Sequence, residues 1–431
     1  MKNYKVKATQ LMLGTIGLFA FGSTAQAQFT LDGELRPRFE YRHGYKSVAD
    51  SNQSNAAFVQ QRTRLNFGYK TEGYIFKVTL QDVRVWGSQP QLISTAAQQN
   101  NSGAYLGIHE AWGEALISES FSLKFGRQEI ALDDQRIFGS VGWAQQARSH
   151  DAFLFKYVPN ANNRLDIGLA LNSDSQSNID NLYSNAAGYK TFQYAWYHGN
   201  FNNFGLSVLL LNTGIEYLDI TEQTLDYMQT IGSRLTYKFD DFNVDGAAYL
   251  QTGKAIDNNV SASYFTGNLA YKVSSDISLG LGYEHLSGKD QNDVTQDINS
   301  FMPLFGTNHK FNGLMDYFYV SNHVGSVGLN DISFTFSYKK DKFSAKLVPH
   351  LFSSAADIYD GSTKMDNKLG TEIDLALGYK VSKDITMNSG YSKMFATDSM
   401  EILKGGGDSN ENNSWAWLMV TFKPKLFSTQ Q

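Results

Sequence analysis

Apolar and polar residues alternate along much of this chain. Every second residue of Ile277–Glu284 is apolar, and the residues between them are Ser, Gly or Glu. The same alternation runs through Ile332–Tyr338 and through Leu369–Tyr379, where Glu372 and Asp374 take the polar side. Strict alternation predicts a half-buried β-strand. About eighteen segments of roughly ten residues follow this pattern, which is typical of outer-membrane barrel strands.

The connections between these segments alternate in length. After a first strand near Phe29–His43, short turns are predicted at Thr71–Gly73, Ile117–Ser120, Pro159–Asn162, Gly199–Asn203, Lys238–Phe242, Val273–Asp276, Lys340–Lys342 and Lys380–Asp384. The longer polar loops between them include Gly87–Leu106, Gly126–Ser149, Asn172–Tyr189, Ser287–Val327 and Ala396–Asn413. Short periplasmic turns and long extracellular loops are typical of transmembrane barrels. We predict that the alternation has no exception.

The apolar faces decide between an open and a closed sheet. In lipid every backbone group must be hydrogen-bonded within the protein, so a membrane sheet has to close on itself. We therefore predict an all-β protein, a closed antiparallel transmembrane β-barrel of about 18 strands.

The N-terminus has the pattern of a secretory signal peptide. Lys2, Lys5 and Lys7 precede the apolar run Leu11–Phe21, and the small-residue site Ala25–Ala27 follows. This order predicts cleavage after residue 27, and the run is too short to span a bilayer. Residues 28–431 are then one barrel domain in the outer membrane of a Gram-negative bacterium. Loss of three lysines changes the formal net charge from −5 to −8.

Composition narrows how such a barrel is stabilised. The chain has no cysteine, so we expect hydrogen bonding and packing to stabilise it without disulfides. It contains 24 Tyr and 29 Phe. Because no other stretch approaches the length of a spanning helix, much of this aromatic content must lie on strands.

The phase of the alternation directs charged residues into the lumen. A charge facing lipid at mid-membrane costs roughly 2–4 kcal/mol, so the inward assignment is favoured. The first three strands direct inward Glu34, Arg36, Arg38, Glu40, Arg42, Arg62, Arg64, Asn66 and Lys77. Later strands direct inward Asp245, Glu284, Glu372 and Asp374, with the basic residues Arg234 and Lys346. The lumen is predicted to have a basic wall and a more acidic wall.

A barrel of this size leaves an aqueous channel whose inward residues set its selectivity. Arginine suits bidentate recognition of a carboxylate or a phosphate. The alternative is that these charges only pair with one another as wall structure. Sequence alone leaves both interpretations open.

The stretch LDDQRIFG (132–139) lies in the third predicted extracellular loop, Gly126–Ser149. Its apolar residues suit a loop folded against a wall, namely Ile130, Leu132, Ile137, Phe138, Val141 and Trp143. Folded into the lumen, the loop would bring Arg127, Asp133, Asp134, Arg136 and Arg148 to the narrowest part of the channel. The two aspartates would then hold the arginines by charge-assisted bonds.

These residues also resemble the alginate-export family of outer-membrane barrels, in its Bacteroidetes-type branch. The similar positions are Gly126-Arg127-Gln128, Asp133-Asp134-Gln135-Arg136, Gly139, Trp143, Arg148 and Asp151-Ala152, followed by Pro303–Gly313 with Asp316-Tyr317. The resemblance implies an eighteen-stranded barrel with an arginine-rich constriction through which an anionic polysaccharide diffuses. It implies outer-membrane lipid and periplasmic export components as candidate partners, and Arg127, Arg136 and Arg148 match its motif. The acidic later wall departs from a purely cationic pore.

Other functions have weaker support. No signature of a hydrolase or metalloprotease appears, and adjacent aspartates diverge on a strand, so we expect neither an enzyme nor a cofactor. The groups around His109 and His150, and the stretch Asp290–Asp297, are at most weak metal-site candidates. A net-acidic chain gives no reason to expect nucleic-acid binding. A general or small-solute porin with a transverse charge field stays open as the alternative.

Overall fold

The computed structural model describes residues 27–88, 104–179, 182–183, 188–319, 323 and 325–429. The predicted signal peptide, up to residue 26, lies outside these residues. Parts of the predicted loops Gly87–Leu106, Asn172–Tyr189 and Ser287–Val327 also lie outside them.

Eighteen strands build the barrel. In chain order they are β1 (Gln28–His43), β2 (Ala56–Lys70), β3 (Tyr74–Val85), β4 (Ala104–Leu116), β5 (Phe121–Gln128), β6 (His150–Asn160), β7 (Asn163–Leu171), β8 (Thr191–Phe201), β9 (Phe204–Asp219), β10 (Glu222–Phe239), β11 (Phe242–Ala255), β12 (Asn258–Lys272), β13 (Ile277–Leu286), β14 (Leu329–Lys340), β15 (Phe343–Ser353), β16 (Lys368–Lys380), β17 (Ile385–Ala396) and β18 (Asn413–Phe422). Each strand pairs antiparallel with the next along the chain.

The sheet closes between its first and last strands. β1 pairs with β18 from Leu35 opposite Phe422 to His43 opposite Ser414. After Pro424, which has no N–H for the ladder, residues Lys425–Ser428 continue the pairing with β1. The predicted closed antiparallel barrel of about 18 strands is therefore confirmed.

The two faces of β1 show why the strand has this sequence. Leu35 is 39% and Phe39 42% exposed on the outer surface, whereas Arg36 and Arg38 between them are 7% and 3% exposed. In the outer membrane, lipid covers the apolar face, and the charged face turns inward where polar partners are available.

The eight predicted short turns are present at the periplasmic end. Three of them have Asn or Asp in the left-handed region, at Asn202, Asp240 and Asp341, which is the conformation two-residue hairpin turns require. At the other end the predicted alternation fails twice. β9 joins β10 through two residues, 220–221, and β11 joins β12 through 256–257. These are tall hairpins in place of long loops.

Two long extracellular loops occupy the barrel interior, the β5–β6 loop (129–149) and the β13–β14 loop (287–328). The second contains a short 3-10 helix, Asn308–Lys310, and the loop before β18 contains the helix α1 (Asp398–Lys404). A small antiparallel ribbon of two strands, Tyr359–Asp360 and Thr363–Lys364, lies between β15 and β16. Among the described residues, no helix is long and apolar enough to cross a bilayer.

Candidate functional site

Four arginines lie side by side on the lumen face of β1 and β2. Arg36 stands opposite Arg62 in the strand pairing, with Arg38 and Arg64 on the same face. Arg36, Arg38 and Arg62 are buried. Like charges this close repel one another, so each needs acceptors near it.

Wall carboxylates supply some of those acceptors. Arg62 Nη2 lies 2.6 Å from Oε1 of Glu34, and Arg38 Nε lies 2.8 Å from Oε1 of Glu40. Arg64 Nε donates to Gln81 at 2.7 Å, and its Nη2 is buried without a hydrogen-bond partner among the residues that the structure describes. Arg64 therefore has an N–H group on the basic wall that is free to donate another hydrogen bond.

The β5–β6 loop supplies the other acceptors. Arg36 Nη1 donates to the carbonyl oxygen of Gly142 at 2.8 Å, and Nη2 donates to that of Trp143 at 3.1 Å. Arg38 Nη1 donates to the same Trp143 carbonyl at 2.7 Å. The side-chain Oε1 of Gln145 accepts from Arg36 Nη2 at 2.9 Å. Backbone oxygens of one short segment thus cap the arginines.

An apolar cluster holds the same loop in place. Phe138 is fully buried and stacks on Phe305 of the β13–β14 loop, with ring centroids 5.0 Å apart. It also packs edge-on against Phe192 of β8 at 5.5 Å. Burial of such rings contributes strongly to stability, and it holds the loop against the wall.

Asp133 and Asp134 do not hold the arginines in the way the sequence suggested. Asp133 accepts from Trp196 Nε1 at 3.0 Å and from Ser207 Oγ at 2.5 Å, which fastens the loop to β8 and β9. Asp134 lies 3.6 Å from Arg234 Nε across the lumen. The carboxylates bind other walls because the loop crosses the channel.

Arg136 lies at the junction of the two loops. Its Nε is 3.1 Å from Oε1 of Glu284, an ion pair rather than an aligned hydrogen bond. Its Nη2 donates to Asn312 Oδ1 at 2.9 Å, and its guanidinium lies 4.6 Å from the ring centre of Phe311. Only 2% of its side chain is exposed. This arginine links the β5–β6 loop to the acidic wall.

Arg127 is a correction to the predicted pore lining. It lies on β5, on the same face as the outward-facing Phe125, and 47% of its side chain is exposed. Its partner is Asp151 of β6, at 2.6 Å. β5 continues to Gln128, so Arg127 belongs to a strand and points away from the lumen.

Trp143 and Arg148 belong to the inward loop. The Trp143 ring stacks on His309 at 4.6 Å, and the Arg38 guanidinium lies 4.0 Å from its centre. Arg148 Nη1 donates to the Gly306 carbonyl at 3.3 Å. Burial lowers the pKa of the Arg148 guanidinium.

The acidic wall binds the β13–β14 loop through backbone N–H groups, whereas the basic wall binds backbone carbonyl groups of the β5–β6 loop. Met315 N donates to Oε1 of Glu372 at 2.7 Å, and Leu314 N donates to Oδ2 of Asp374 at 3.1 Å. Gly313 before them has φ +82°, and a Cβ there would lie 2.7 Å from the Glu372 carboxylate. Glycine is needed at this position, because a side chain would displace the loop from the wall.

The two loops also bond directly to each other. Gly139 N donates to Phe305 O at 2.8 Å, and Thr307 N donates to Gln135 O at 2.9 Å. Val141 N donates to the hydroxyl of Thr307 at 3.0 Å. Together the loops form a continuous bridge from the basic wall to the acidic wall.

A polar chamber lies beside this bridge against strands β10 to β16. Its volume is about 320 Å³. Charged residues lining it include Asp134, Arg234, Asp245, Glu284, Lys310, Asp331, Lys346, His350 and Asp374. The lumen thus mixes both signs of charge on this side, as the inward acidic pattern predicted.

One group in the described part of the chain has metal-like spacing. Ligand atoms of His109, Glu110 and Glu129 lie within 4.8 Å of one another. Lys77 and Trp112 already donate to Glu110. His109 Nε2 lies 2.7 Å from Glu129, which accounts for these groups without an ion.

Several important contacts have no signal in the sequence. Neither the carbonyl of Gly142 nor the side chain of Gln145 belongs to a recognisable motif. Asn312 was noticed only as part of the second family-like stretch. Its Nδ2 donates to Glu284 at 2.5 Å. Such contacts depend on where two loops meet, which residue type does not encode.

Comparison with known proteins agrees with the barrel fold. A family profile described as alginate export matches residues 27–416. No curated protein is detectably similar to the sequence.

Solved structures share the fold at low identity. Pseudomonas aeruginosa OccK5 (OpdH) is 10% identical with a TM-score of 0.61, over 92% of this chain and 99% of that one. Acinetobacter baumannii OccAB4 is 11% identical with a TM-score of 0.61, over 94% and 99%. Pseudomonas aeruginosa OccK2 (OpdF) in complex with glucuronate is 13% identical with a TM-score of 0.59, over 93% and 97%.

Proposed function

The chain belongs to the alginate export family and forms a channel in the Gram-negative outer membrane, and from this premise we propose that it passes an anionic solute, an acidic polysaccharide of alginate type, by diffusion. Arg36, Arg38, Arg62 and Arg64 are the proposed selectivity residues. Arg136 and Arg148 contribute positive charge from the β5–β6 loop, while Asp133, Asp134 and Trp143 position that loop. Arg127, which faces outward, has no part in the proposal.

One observation carries this proposal. Guanidinium groups of Arg36 and Arg38 donate to oxygen atoms that lie on the lumen side of the basic wall. A uronate carboxylate offers two oxygens in a plane, the arrangement that the guanidinium fork matches. Successive arginines in a low-dielectric wall would pass a polyanion from one weak site to the next.

The comparisons support an acidic sugar as the solute. The name of the family is alginate export, and alginate is a polymer of uronates. One structural neighbour is described in complex with glucuronate. Periplasmic export components stay candidate partners, at the end of the barrel formed by the short turns. The Bacteroidetes-type branch stays a prediction.

A general porin with a transverse charge field is the second candidate. The acidic wall favours it, because the carboxylates of Glu284, Glu372 and Asp374 are buried inside the same barrel as the arginines. In such a porin the field orients small polar solutes, and no charge sign is strongly preferred. Ion selectivity therefore separates the two functions.

The test is the reversal potential of the purified protein in a planar bilayer under a salt gradient. We expect anions to be preferred at low salt, and Arg38→Gln with Arg62→Gln to lower the anion/cation permeability ratio several-fold because two positive charges leave the lumen. Arg127→Gln is the matched control, since this arginine faces outward. A wild-type channel without anion preference would reject the acidic-polysaccharide proposal in favour of the general porin.

A further inference from the structure

Three of the four arginines proposed for selectivity, Arg36, Arg38 and Arg62, already donate to oxygen atoms of the β5–β6 loop. Four acceptors of the segment 142–145 converge on them. These are the carbonyls of Gly142, Trp143 and Ala144 and the side-chain oxygen of Gln145. Their distances to Arg36 are between 2.8 and 3.3 Å, within the normal range of hydrogen bonds. A solute carboxylate can bind these guanidinium groups only after a loop oxygen has given up its hydrogen bond to them.

The backbone on either side of this segment is strained. Val141 has φ +51° and Ala147 has φ +56°. The left-handed region is unfavourable for any residue with a Cβ, and most unfavourable for a β-branched one. Contacts with the arginines and with the neighbouring loop therefore hold the segment in a conformation that its own residues disfavour.

We infer that residues 141–147 are a latch that the transported anion itself releases. This inference rests on the proposed function and adds its regulation. A carboxylate carries a full negative charge, whereas a carbonyl carries a dipole, so the guanidinium groups bind the carboxylate more strongly. A polyanion entering the lumen competes with the loop carbonyls, and the strained flanks favour release once those bonds are lost. A ligand shifts an equilibrium only by binding one state better, and here it binds the unlatched arginines.

The latch also explains an arrangement that selectivity alone does not require. Within the described part of the chain, Arg36 forms no ion pair with a carboxylate, and its hydrogen bonds go to the loop. Gln145 is fully buried, and its Nε2 also donates to the carbonyl of Gln60 on β2 at 3.4 Å. A glutamine that joins both the cation and the wall is a fastening point of the segment.

The loop side of the latch can be changed without removing a charge. Gln145→Ala removes one of the four loop acceptors of Arg36, the only one that is a side chain, and leaves every arginine in place. The matched control is Gln146→Ala, because Gln146 is exposed and only its backbone carbonyl is bonded, by Gln81 at 2.9 Å. Hydrogen bonds to charged groups contribute enough that we expect the unlatched population to rise at least about tenfold in Gln145→Ala. Its resting single-channel conductance should rise, whereas Gln146→Ala should match wild type.

A thiol reporter tests release by the solute. The chain has no cysteine, so Val141→Cys, at a position that is 7% exposed in the docked segment, provides a single thiol on the latch that is shielded until the latch opens, with Asn52→Cys in the exposed β1–β2 loop as the reference. An alginate trisaccharide should accelerate maleimide labelling at Val141→Cys at low salt and leave Asn52→Cys unchanged. Maltotriose, which has no carboxylate, should accelerate neither.

The outcomes separate the latch from the function beneath it. Anion-selective wild-type channels with trisaccharide-independent labelling, and with equal conductance in the two glutamine variants, would overturn the latch and leave the transport proposal standing. Channels without anion selectivity would overturn both. Trisaccharide-accelerated labelling together with a raised Gln145→Ala conductance supports the latch.

Discussion

Arg136 is the residue whose removal should most clearly open the bridge between the two loops. It lies 3.1 Å from the carboxylate of Glu284 and donates to Asn312, with 2% of its side chain exposed. Arg136→Met keeps a similar length and apolar bulk but leaves Glu284 buried without its cation. Removing one partner of a buried ion pair costs about 3–5 kcal/mol. We expect the lower end of that range, because Asn312 still donates to Glu284 at 2.5 Å.

A loss of about 3 kcal/mol corresponds to more than a hundredfold rise in the undocked population, since 1.4 kcal/mol is about tenfold. The assay is limited proteolysis of protein reconstituted in liposomes, which reports the open population when opening and closing are faster than cleavage. Cuts should fall within 129–149 and 287–319. The barrel itself should keep its faster migration on unheated gels, since the strand pairing is untouched.

Two comparison variants test whether the unpaired carboxylate is the cause. Arg136→Met with Glu284→Met removes both charges, so it should protect the loops better than Arg136→Met alone. Arg84→Met breaks an ion pair with Asp82 in which the arginine is 36% exposed, and such surface pairs contribute little. If the double variant is cleaved as fast as the single one, an unpaired buried carboxylate is not the cause. If Arg136→Met is cleaved like wild type, the bridge does not depend on this arginine.

Three further predictions follow from single positions. Asp133→Asn should loosen the β5–β6 loop by about 1–3 kcal/mol, because the bonds from Trp196 and Ser207 lose their ionised acceptor, and proteolysis of that loop should accelerate. Gly126→Ala should impair folding, since Gly126 has φ +110° and a Cβ would lie 2.4 Å from a backbone carbonyl, and the folded band on unheated gels should weaken. Burial lowers the pKa of Lys404 in α1 to about 7, below its unfolded value near 10.5, so the undocked loop binds the extra proton. Docking of that loop should therefore strengthen as pH rises from about 7 towards 10.5 and stay level below 7, and Lys404→Met should flatten this profile in a proteolysis assay.

The faces of the strands were predictable because the cost of a lipid-facing charge is large and local. Leu35 outward implies Arg36 inward, whatever the rest of the chain does. The prediction for Arg127 did not follow that rule. Phe125 two residues earlier faces outward, so the same parity assigns Arg127 to the outer face. The prediction was wrong because it starts the loop at Gly126, two residues before the strand ends at Gln128.

The two tall hairpins were not predictable from their turns. Two-residue turns of this kind usually contain Asn-Gly or Asp-Gly, but here Ile220, Ile256 and Asp257 adopt the left-handed region. Their long paired strands compensate for the strain, with β9 and β10 paired along 16 positions. The positions at which the loops dock were equally unpredictable, because Asp133 accepts a hydrogen bond from Ser207, 74 residues away. No local pattern of residues specifies such a partner.

The sequence left open whether these arginines form structural ion pairs or present donors to the lumen. For these side chains the two roles do not exclude each other. A guanidinium has two edges, and Arg62 uses Nε and Nη2 for Glu34 while Nη1 faces the carbonyls of the loop. Arg38 likewise gives Nε to Glu40 and Nη1 to Trp143. The wall carboxylates fix the orientation of each fork, and that fixed orientation presents the remaining donors to the lumen. Removing an arginine therefore changes wall stability, loop docking and lumen charge together. Only a change on the loop side, where no charge is lost, can separate the proposed closing of the channel by the latch from the proposed preference for anions.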